Sequence, residues 1–339
     1  MGRVPLSKGR LAASLGAYLA LALGVLFAAP FFGSETLSFA RVFSAPDPQN
    51  VDSAIFFYHR LPRVILAFMA GGALGLSGAG LQVVLKNPLA EPFILGIAGS
   101  GALGAALAMS VPGLALRIGP FTTVGFFSLL GSLTVTGLML RLIARRTGIH
   151  MGTVLLAGVT INFLCGAAIL FVRYLVSPQI LVSMDRWMMG GLDVVGYGDL
   201  LPVAVLLAPG ALLLLMQANA MNQLAFGDEL AFGHGVNVTR VRAMVFLGTG
   251  MAVAAVVALA GPIGFVGLVV PHAVRRVSGS DQRLVFPASF LAGGAFLILC
   301  DLLARTVVAP TEMPVGIITA IAGGPVFLRI LFRNGGTND

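Results

Sequence analysis

Charge is scarce in this chain. Charged residues make up 10% of its 339 residues and hydrophobic ones 58%, whereas about a quarter of an average soluble domain is charged. The two soluble domains that the length would otherwise suggest are thereby excluded. Only 13 residues are acidic and only two are cysteine, so chemistry built on many carboxylates or thiols has no material to work with. Lysine occurs twice, as Lys8 and Lys86, and neither lies in the Gly-Lys-Ser/Thr setting of a phosphate-binding loop. The chain therefore carries no ATPase of the usual kind, and any active process must draw its energy from a partner chain or an ion gradient. Glycine is abundant, at 44 residues, a level suited to closely packed membrane helices. The composition is that of a polytopic all-α membrane protein.

The charges mark out the segments. Charge-free runs cover 11–34, 64–85, 92–116, 118–140, 147–172, 200–227, 243–274, 284–300 and 313–328. A helix needs about 20 apolar residues to cross the hydrocarbon core. The run 243–274 would be about 48 Å long as one helix, too long for a core of about 30 Å. Gly261-Pro262, followed by Gly264 and Gly267, is where a break costs least. Splitting the run into one span ending near Ala260 and another ending near Val277 predicts ten spans. With both termini cytoplasmic, the inner side then holds Arg3, Lys8, Arg10, Lys86, Arg141, Arg145, Arg146, Arg240, Arg242, Arg275, Arg276, Arg283, Arg329 and Arg333. The outer side holds Arg41, Arg60, Arg63, Arg117, Arg173, Arg186 and Arg305, a ratio of 14 to 7. Nine spans would give 10 to 11, so the positive-inside rule favours ten. The net charge of +8 is then an orienting asymmetry, and no nucleic-acid partner is implied. The first apolar run is about twice the usual length of a signal-peptide core, and it is read as a retained helix. Residues 1–339 form one membrane domain.

Ionisable residues inside spans mark function or structural pairing. Asp301 is the one that stands out, with Arg305 at the i,i+4 spacing that lets the two side chains meet. A proton relay and a structural ion pair are both open readings; a carboxylate already paired with arginine is a poor proton carrier. Cys165 and Cys300 lack the paired spacing of a metal site and read as inert buried thiols. His59, His150, His234 and His272 lie near segment ends, far apart in sequence, and form no ligand set for haem iron. Gly71, Gly72, Gly75, Gly78 and Gly80, then Gly96, Gly99, Gly101 and Gly104, allow close backbone approach.

The segment 219–240 is unusual for a solvated connection, because Leu224, Phe226, Leu230, Phe232 and Val236 make it partly apolar. Gly227-Asp228 is a plausible helix start, with Glu229 favourable in the first turn. Gly233 and Gly235 end that short helix. Docking to a partner and lying on lipid as an interfacial helix are both consistent with this pattern.

Several ordered motifs then carry a resemblance over nearly the whole chain. They are Arg60-Leu61-Pro62-Arg63, Gly78-Ala79-Gly80-Leu81-Gln82, Asn87-Pro88-Leu89-Ala90-Glu91-Pro92 with Leu95-Gly96, Leu155-Leu156-Ala157-Gly158-Val159, Trp187-Met188-Met189-Gly190-Gly191, Gly227-Asp228-Glu229-Leu230-Ala231 with Gly235-Val236-Asn237-Val238, the stretch from Gly261-Pro262 to Pro271-His272, and Glu312-Met313-Pro314-Val315-Gly316. The chain resembles the permease subunit of the ABC importers for iron–siderophore complexes, haem and vitamin B12.

The resemblance implies ten helices in a multi-pass protein of the bacterial inner membrane, and two copies forming one pathway. It also implies separate ABC ATPase subunits that hold ATP and Mg, with no cofactor bound by this chain. A periplasmic or lipid-anchored substrate-binding protein would deliver a chelated metal complex, with a ferric siderophore favoured over haem or cobalamin. By the same resemblance, residues 227–238, with Gly227, Asp228, Glu229, Leu230, Ala231, Gly235 and Val236, couple to the ATPase. Arg60, Arg63 and Arg305 dock the binding protein; ordinary interfacial anchoring is the plainer reading of the first two. Asn87, Leu89, Met151, Gly152 and Thr153 form the cytoplasmic gate. The rival is a proton-coupled carrier that depends on Asp301.

Overall fold

The computed structural model describes residues 8–33, 35, 37–44, 50–111, 113, 114, 116–118, 121–145 and 150–335. Arg3 and Arg146 of the inner-side set lie outside these residues, as do the side chains of Lys8, Arg145 and Arg333. The described α-helices are α1 (Lys8–Ala28), α2 (Phe39–Ser44), α3 (Val51–Ala54), α4 (Leu61–Val84), α5 (Ile97–Ser110), α6 (Thr123–Arg145), α7 (Met151–Leu175) and α8 (Pro178–Met188). They continue with α9 (Leu200–Met216), α10 (Ala218–Leu224), α11 (Asp228–Gly233), α12 (Val238–Ala260), α13 (Val266–Ser278), α14 (Gln282–Thr306) and α15 (Val315–Gly335). A π-helical turn, Ile55–Arg60, joins α3 to α4. The described strands are the antiparallel pair β1 (Arg117–Ile118) and β2 (Phe121–Thr122).

Six helical stretches are long and apolar enough to cross a membrane, or seven if α9 and α10, bent by 48°, count as one. The chain is thus an all-α polytopic membrane protein. Each of the ten expected segments has a helix, but three fall short of a crossing: α5, α13 and the apolar part of α15, Val315–Arg329. The break in the long run lies where sequence chemistry put it. α12 stops at Ala260, Gly261 takes a left-handed φ of 67°, and α13 starts at Val266. With 13 residues, α13 is only about 20 Å long. The run 92–116 differs more from expectation. Pro88, Pro92 and the left-handed Gly96 (φ 77°) hold residues 85–96 out of helix, so α5 begins only at Ile97.

The core forms around α4, which is buried on nearly every face, as expected of a helix apolar all round. It packs on α14, α12, α13 and α9. The glycines that mark close approach act as expected. A Cβ on Gly71 would collide with the Gly293 carbonyl of α14, and one on Gly78 with the Gly267 carbonyl of α13.

The α4–α13 contact also resolves a backbone problem. Pro271 lies inside α13 and has no N–H to offer the carbonyl four residues earlier, that of Gly267. Gln82 Nε2 donates to that oxygen at 3.2 Å and to the Leu268 carbonyl at 3.3 Å. Gln82 Oε1 in turn accepts from the Arg275 guanidinium. Gln82→Leu should therefore lower stability by about 1–3 kcal/mol, the penalty for a buried group left without its partner. A thermal unfolding midpoint in detergent equal to that of the wild type would mean that the Gly267 carbonyl finds another donor.

Candidate functional site

Two clusters lie at opposite ends of α4, a helix of 24 residues and so about 36 Å long. At its first turn, Arg60, Arg63 and Arg305 line one cleft of about 480 Å³ together with Glu35, Asp193 and Glu312. All three arginines are largely buried and engaged. Arg60 Nη1 donates to the carbonyls of Pro30 (3.3 Å) and Phe31 (3.4 Å), and its Nη2 to that of Glu35 (2.5 Å). Arg305 Nη2 donates to the Ala29 carbonyl at 3.2 Å. These oxygens follow the C-terminal end of α1, where positive charge is favourable; that of Ala29 also accepts from the Phe32 N–H at 3.2 Å.

Arg63 holds the acids. Its Nε donates to Asp301 Oδ1 at 2.8 Å and its Nη1 to Glu312 Oε2 at 2.5 Å, with Asp193 3.9 Å away. The expected Asp301–Arg305 pair is present but longer, at 3.5 Å. Asp301 is fully buried between two guanidinium groups, so its charge is compensated in place. Sequence spacing found the neighbour four residues away and missed the stronger partner 238 residues away. Nη1 of Arg305 is buried and has no hydrogen-bond partner among the described residues.

At the other end, α11 starts at Asp228 after Gly227 (φ 126°) and stops at Gly233, with Gly235 left-handed (φ 79°). The helix predicted from glycine spacing is present. Ala231 is buried and faces the bundle, whereas Leu230 and Phe232 are 56% and 77% exposed. Val236 folds back, its N–H donating to the Ala231 carbonyl at 3.0 Å. Glu229 is exposed. Asp228 turns inward: Lys86 Nζ is 3.1 Å from its Oδ1, and Arg242 Nη2 donates to its Oδ2 at 2.7 Å. Burial pushes the Asp228 carboxyl up, but Lys86 and Arg242 together outweigh it and hold it below the usual aspartate range.

The expected gate residues lie on separate elements with separate partners. Asn87 Oδ1 accepts from the Leu89 N–H at 2.9 Å, which shapes the turn after α4. Met151 is buried at the start of α7, while Gly152 and Thr153 are exposed. His150 caps that helix, its Nδ1 accepting from the Gly152 N–H at 3.3 Å, so one of the four scattered histidines has a structural task. Cys165 and Cys300 are free and buried. Among the described residues no group of three or more His, Cys, Asp or Glu could hold a metal ion.

Glu91 was missed. It is buried, and its Oε2 accepts from the Phe265 N–H at 3.0 Å, at the start of α13. Its signal was a carboxylate set between apolar residues and Pro92, which charge counting read merely as a segment boundary.

Comparisons with known proteins agree over most of the chain. The model of the FecCD transport family matches residues 20–333. The hemin transport system permease protein HmuU of Yersinia pestis is 38% identical over 324 residues, covering 94% of this chain and 95% of its own. The cobalamin import system permease protein BtuC of Halobacterium salinarum is 40% identical over 277 residues, covering 80% and 72% respectively. A solved structure described as a metal-chelate type ABC transporter in an inward-facing conformation superposes with a TM-score of 0.82 at 26% identity, covering 94% of this chain and 98% of its own.

Two measurements test these clusters. Asp301→Leu leaves two buried guanidinium groups against one lost charge and should cost about 3–5 kcal/mol, and adding Arg63→Met should recover part of that loss. Strict additivity of the two changes would deny the pair. For Asp228 the folded pKa is the lower one, so its contribution is complete above the usual aspartate range and is lost as the pH falls through the lowered value. Infrared titration should place its midpoint below that of a free aspartate; a midpoint at or above it would mean that Lys86 and Arg242 do not pair with it.

Proposed function

The chain belongs to the FecCD transport family and is a permease of the ABC transporter type; from this premise we propose that it is the membrane-spanning subunit of a binding-protein-dependent importer for a chelated metal complex. The observation that carries the proposal is the family match over 20–333 on a chain that also presents a short helix with exposed Leu230 and Phe232. The chain would work as two copies in the cytoplasmic membrane, each crossing ten times with both termini inside. The charge asymmetry supports that orientation, and a helix in every expected segment supports the count. The apolar face of α7 left exposed at Phe163, Leu164, Leu170 and Phe171 is covered in this proposal by lipid and by the second copy.

The α11 region, Gly227 to Val236, is the proposed seat for the ATPase, which supplies the energy this chain cannot generate. Leu230 and Phe232 would enter an apolar groove of that partner, while Asp228 and Ala231 hold α11 to the bundle. Alternating access would open and close the path near Asn87, Leu89 and the start of α7 at Met151, Gly152 and Thr153.

Arg60, Arg63 and Arg305 are the proposed docking residues for the binding protein, and their burial sets a condition. An incoming carboxylate must replace a partner that Arg63 already has. Glu312 and Asp193, with side chains 41% and 63% exposed, can leave for solvent; Asp301, fully buried, cannot. Removing the internal competitor should therefore strengthen docking. Glu312→Gln is expected to tighten the binding protein about three- to tenfold, which is about 0.7–1.4 kcal/mol; surface plasmon resonance that finds weaker docking would reverse the assignment.

The resemblance favoured a ferric siderophore, whereas the named relatives handle haemin and cobalamin. The proposed cargo is the shared class, a metal held in an organic chelate, with haem as the first member to try. The deciding experiment reconstitutes the permease in proteoliposomes with its ATPase subunits and binding protein, and offers haemin, cyanocobalamin and a ferric hydroxamate in turn. ATP-dependent accumulation of one of them is expected. Accumulation without ATP that follows an imposed proton gradient would instead reinstate the carrier built on Asp301.

A further inference from the structure

The non-helical stretch 85–96 is tied to a different element at each end. At its start, Lys86 closes α4 in the manner of a Schellman cap. Its N–H donates to the Val83 carbonyl and the Asn87 N–H to the Gln82 carbonyl, each at 3.2 Å. That motif needs a left-handed residue, and Lys86 has φ 49°, a conformation glycine adopts without strain and lysine does not. The Lys86 side chain reaches Asp228 on α11 at 3.1 Å. At the far end, buried Glu91 accepts from the Phe265 N–H at 3.0 Å, and Phe265 is left-handed too, with φ 69°. Lys86 and Phe265 are the non-glycine residues with positive φ among those described. Both strained joints thus coincide with the two ties.

Stability alone does not account for this arrangement. The Lys86 and Asp228 side chains are 53% and 41% exposed, and an ion pair so exposed contributes little to folding. A glycine at position 86 would relieve the backbone strain and forfeit only that small gain. Strained residues persist where the surroundings over-determine them, and they concentrate in parts that switch. Between the ties the stretch is stiffened by the Asn87 side chain on the Leu89 N–H and by the Ala90 N–H on the Asn87 carbonyl. Through Glu91 it meets the start of the short helix α13, whose Gly267 touches Gly78, six residues before the end of α4 and so about 9 Å inside the bundle.

We propose that residues 85–96 are a mechanical link between α11 and α13, with Lys86 and Glu91 as its positioning residues, so that displacement of α11 re-orients the start of α13 inside the membrane. The proposal rests on the reading of α11 as the ATPase seat. Coupling then runs through two ties, Asp228 to Lys86 and Glu91 to Phe265, and Asp228 acts inside the chain, without needing to touch the ATPase.

The test uses the full complex in proteoliposomes and reads ATPase co-purification, ATP hydrolysis, and uptake of whichever of haemin, cyanocobalamin or the ferric hydroxamate the wild type accumulates. Lys86→Gly keeps the backbone conformation and severs the first tie. It should leave co-purification and hydrolysis unchanged, raise or preserve the melting temperature, and lower uptake per ATP by about tenfold, within the usual span of a coupling free energy. Lys86→Arg, which keeps the charge, should restore most of the uptake. Glu91→Ala should lower uptake per ATP as Lys86→Gly does, and Glu91→Gln, which still offers an acceptor to the Phe265 N–H, should largely retain it. Undiminished uptake in Lys86→Gly overturns the link, and so does a loss of uptake matched by a fall in melting temperature. The premise is checked separately with Leu230→Asp and Phe232→Asp: full ATPase co-purification in both would remove the seat, whatever the Lys86 variants do.

Discussion

Backbone polar groups have no water to turn to inside a membrane, and each break in a helix therefore needs a side chain to repair it. That constraint governs the whole molecule. Pro271 frees the Gly267 carbonyl, and Gln82 answers it. Beyond the end of α1, Arg60 answers the carbonyls of Pro30 and Phe31, and Arg305 joins the Phe32 N–H on that of Ala29. The broken start of α13 exposes the Phe265 N–H, and Glu91 answers that. The few polar residues of an apolar chain are spent where helices stop.

This explains why residues assigned to partners by resemblance already carry a structural load. Arg63 satisfies a buried carboxylate of α14 while it presents a nitrogen to exposed Glu312. A group held on one side and free to exchange on the other can take part in docking without leaving a buried charge unpaired. Asp228 is similar: it anchors α11 through Lys86 and Arg242, and its exposed neighbours Leu230 and Phe232 are left for a partner. Each proposed contact surface is therefore one face of an internal network, and binding at either end can reach the helices between.

Close packing supplies the physical route for that transmission. Where Gly71 meets Gly293 and Gly78 meets Gly267, no side chain separates the helices. Packed interfaces of this kind move as units between discrete arrangements and do not deform smoothly. α13 packs on both α4 and α14, so a shift at α11 that reaches α13 meets the helices on which the arginine cleft is built.

Much of this was legible in the chain itself. Apolar run length, the 14-to-7 charge ratio, the Gly261-Pro262 break and the glycine-bounded helix at 228–233 all follow from local chemistry, because span length, helix breaking and left-handed caps depend on a few consecutive residues. The glycine clusters were legible as packing for the same reason. What the sequence did not disclose is which distant groups meet. Asp301 was paired by spacing with Arg305, yet its shorter contact is to Arg63 on another helix. Glu91 looked like a boundary charge, because only the folding of 85–96 back toward α13 turns it into a buried cap. Lys86 looked like an inner-side cation until α11 came within 3.1 Å of it. Sequence by itself determined the class and the break at Gly261-Pro262; the tertiary structure decided where 85–96 leaves the helix and which partners meet, because a freed carbonyl or buried carboxylate is satisfied by whichever helix packs beside it, and that neighbour is set by shape at long range.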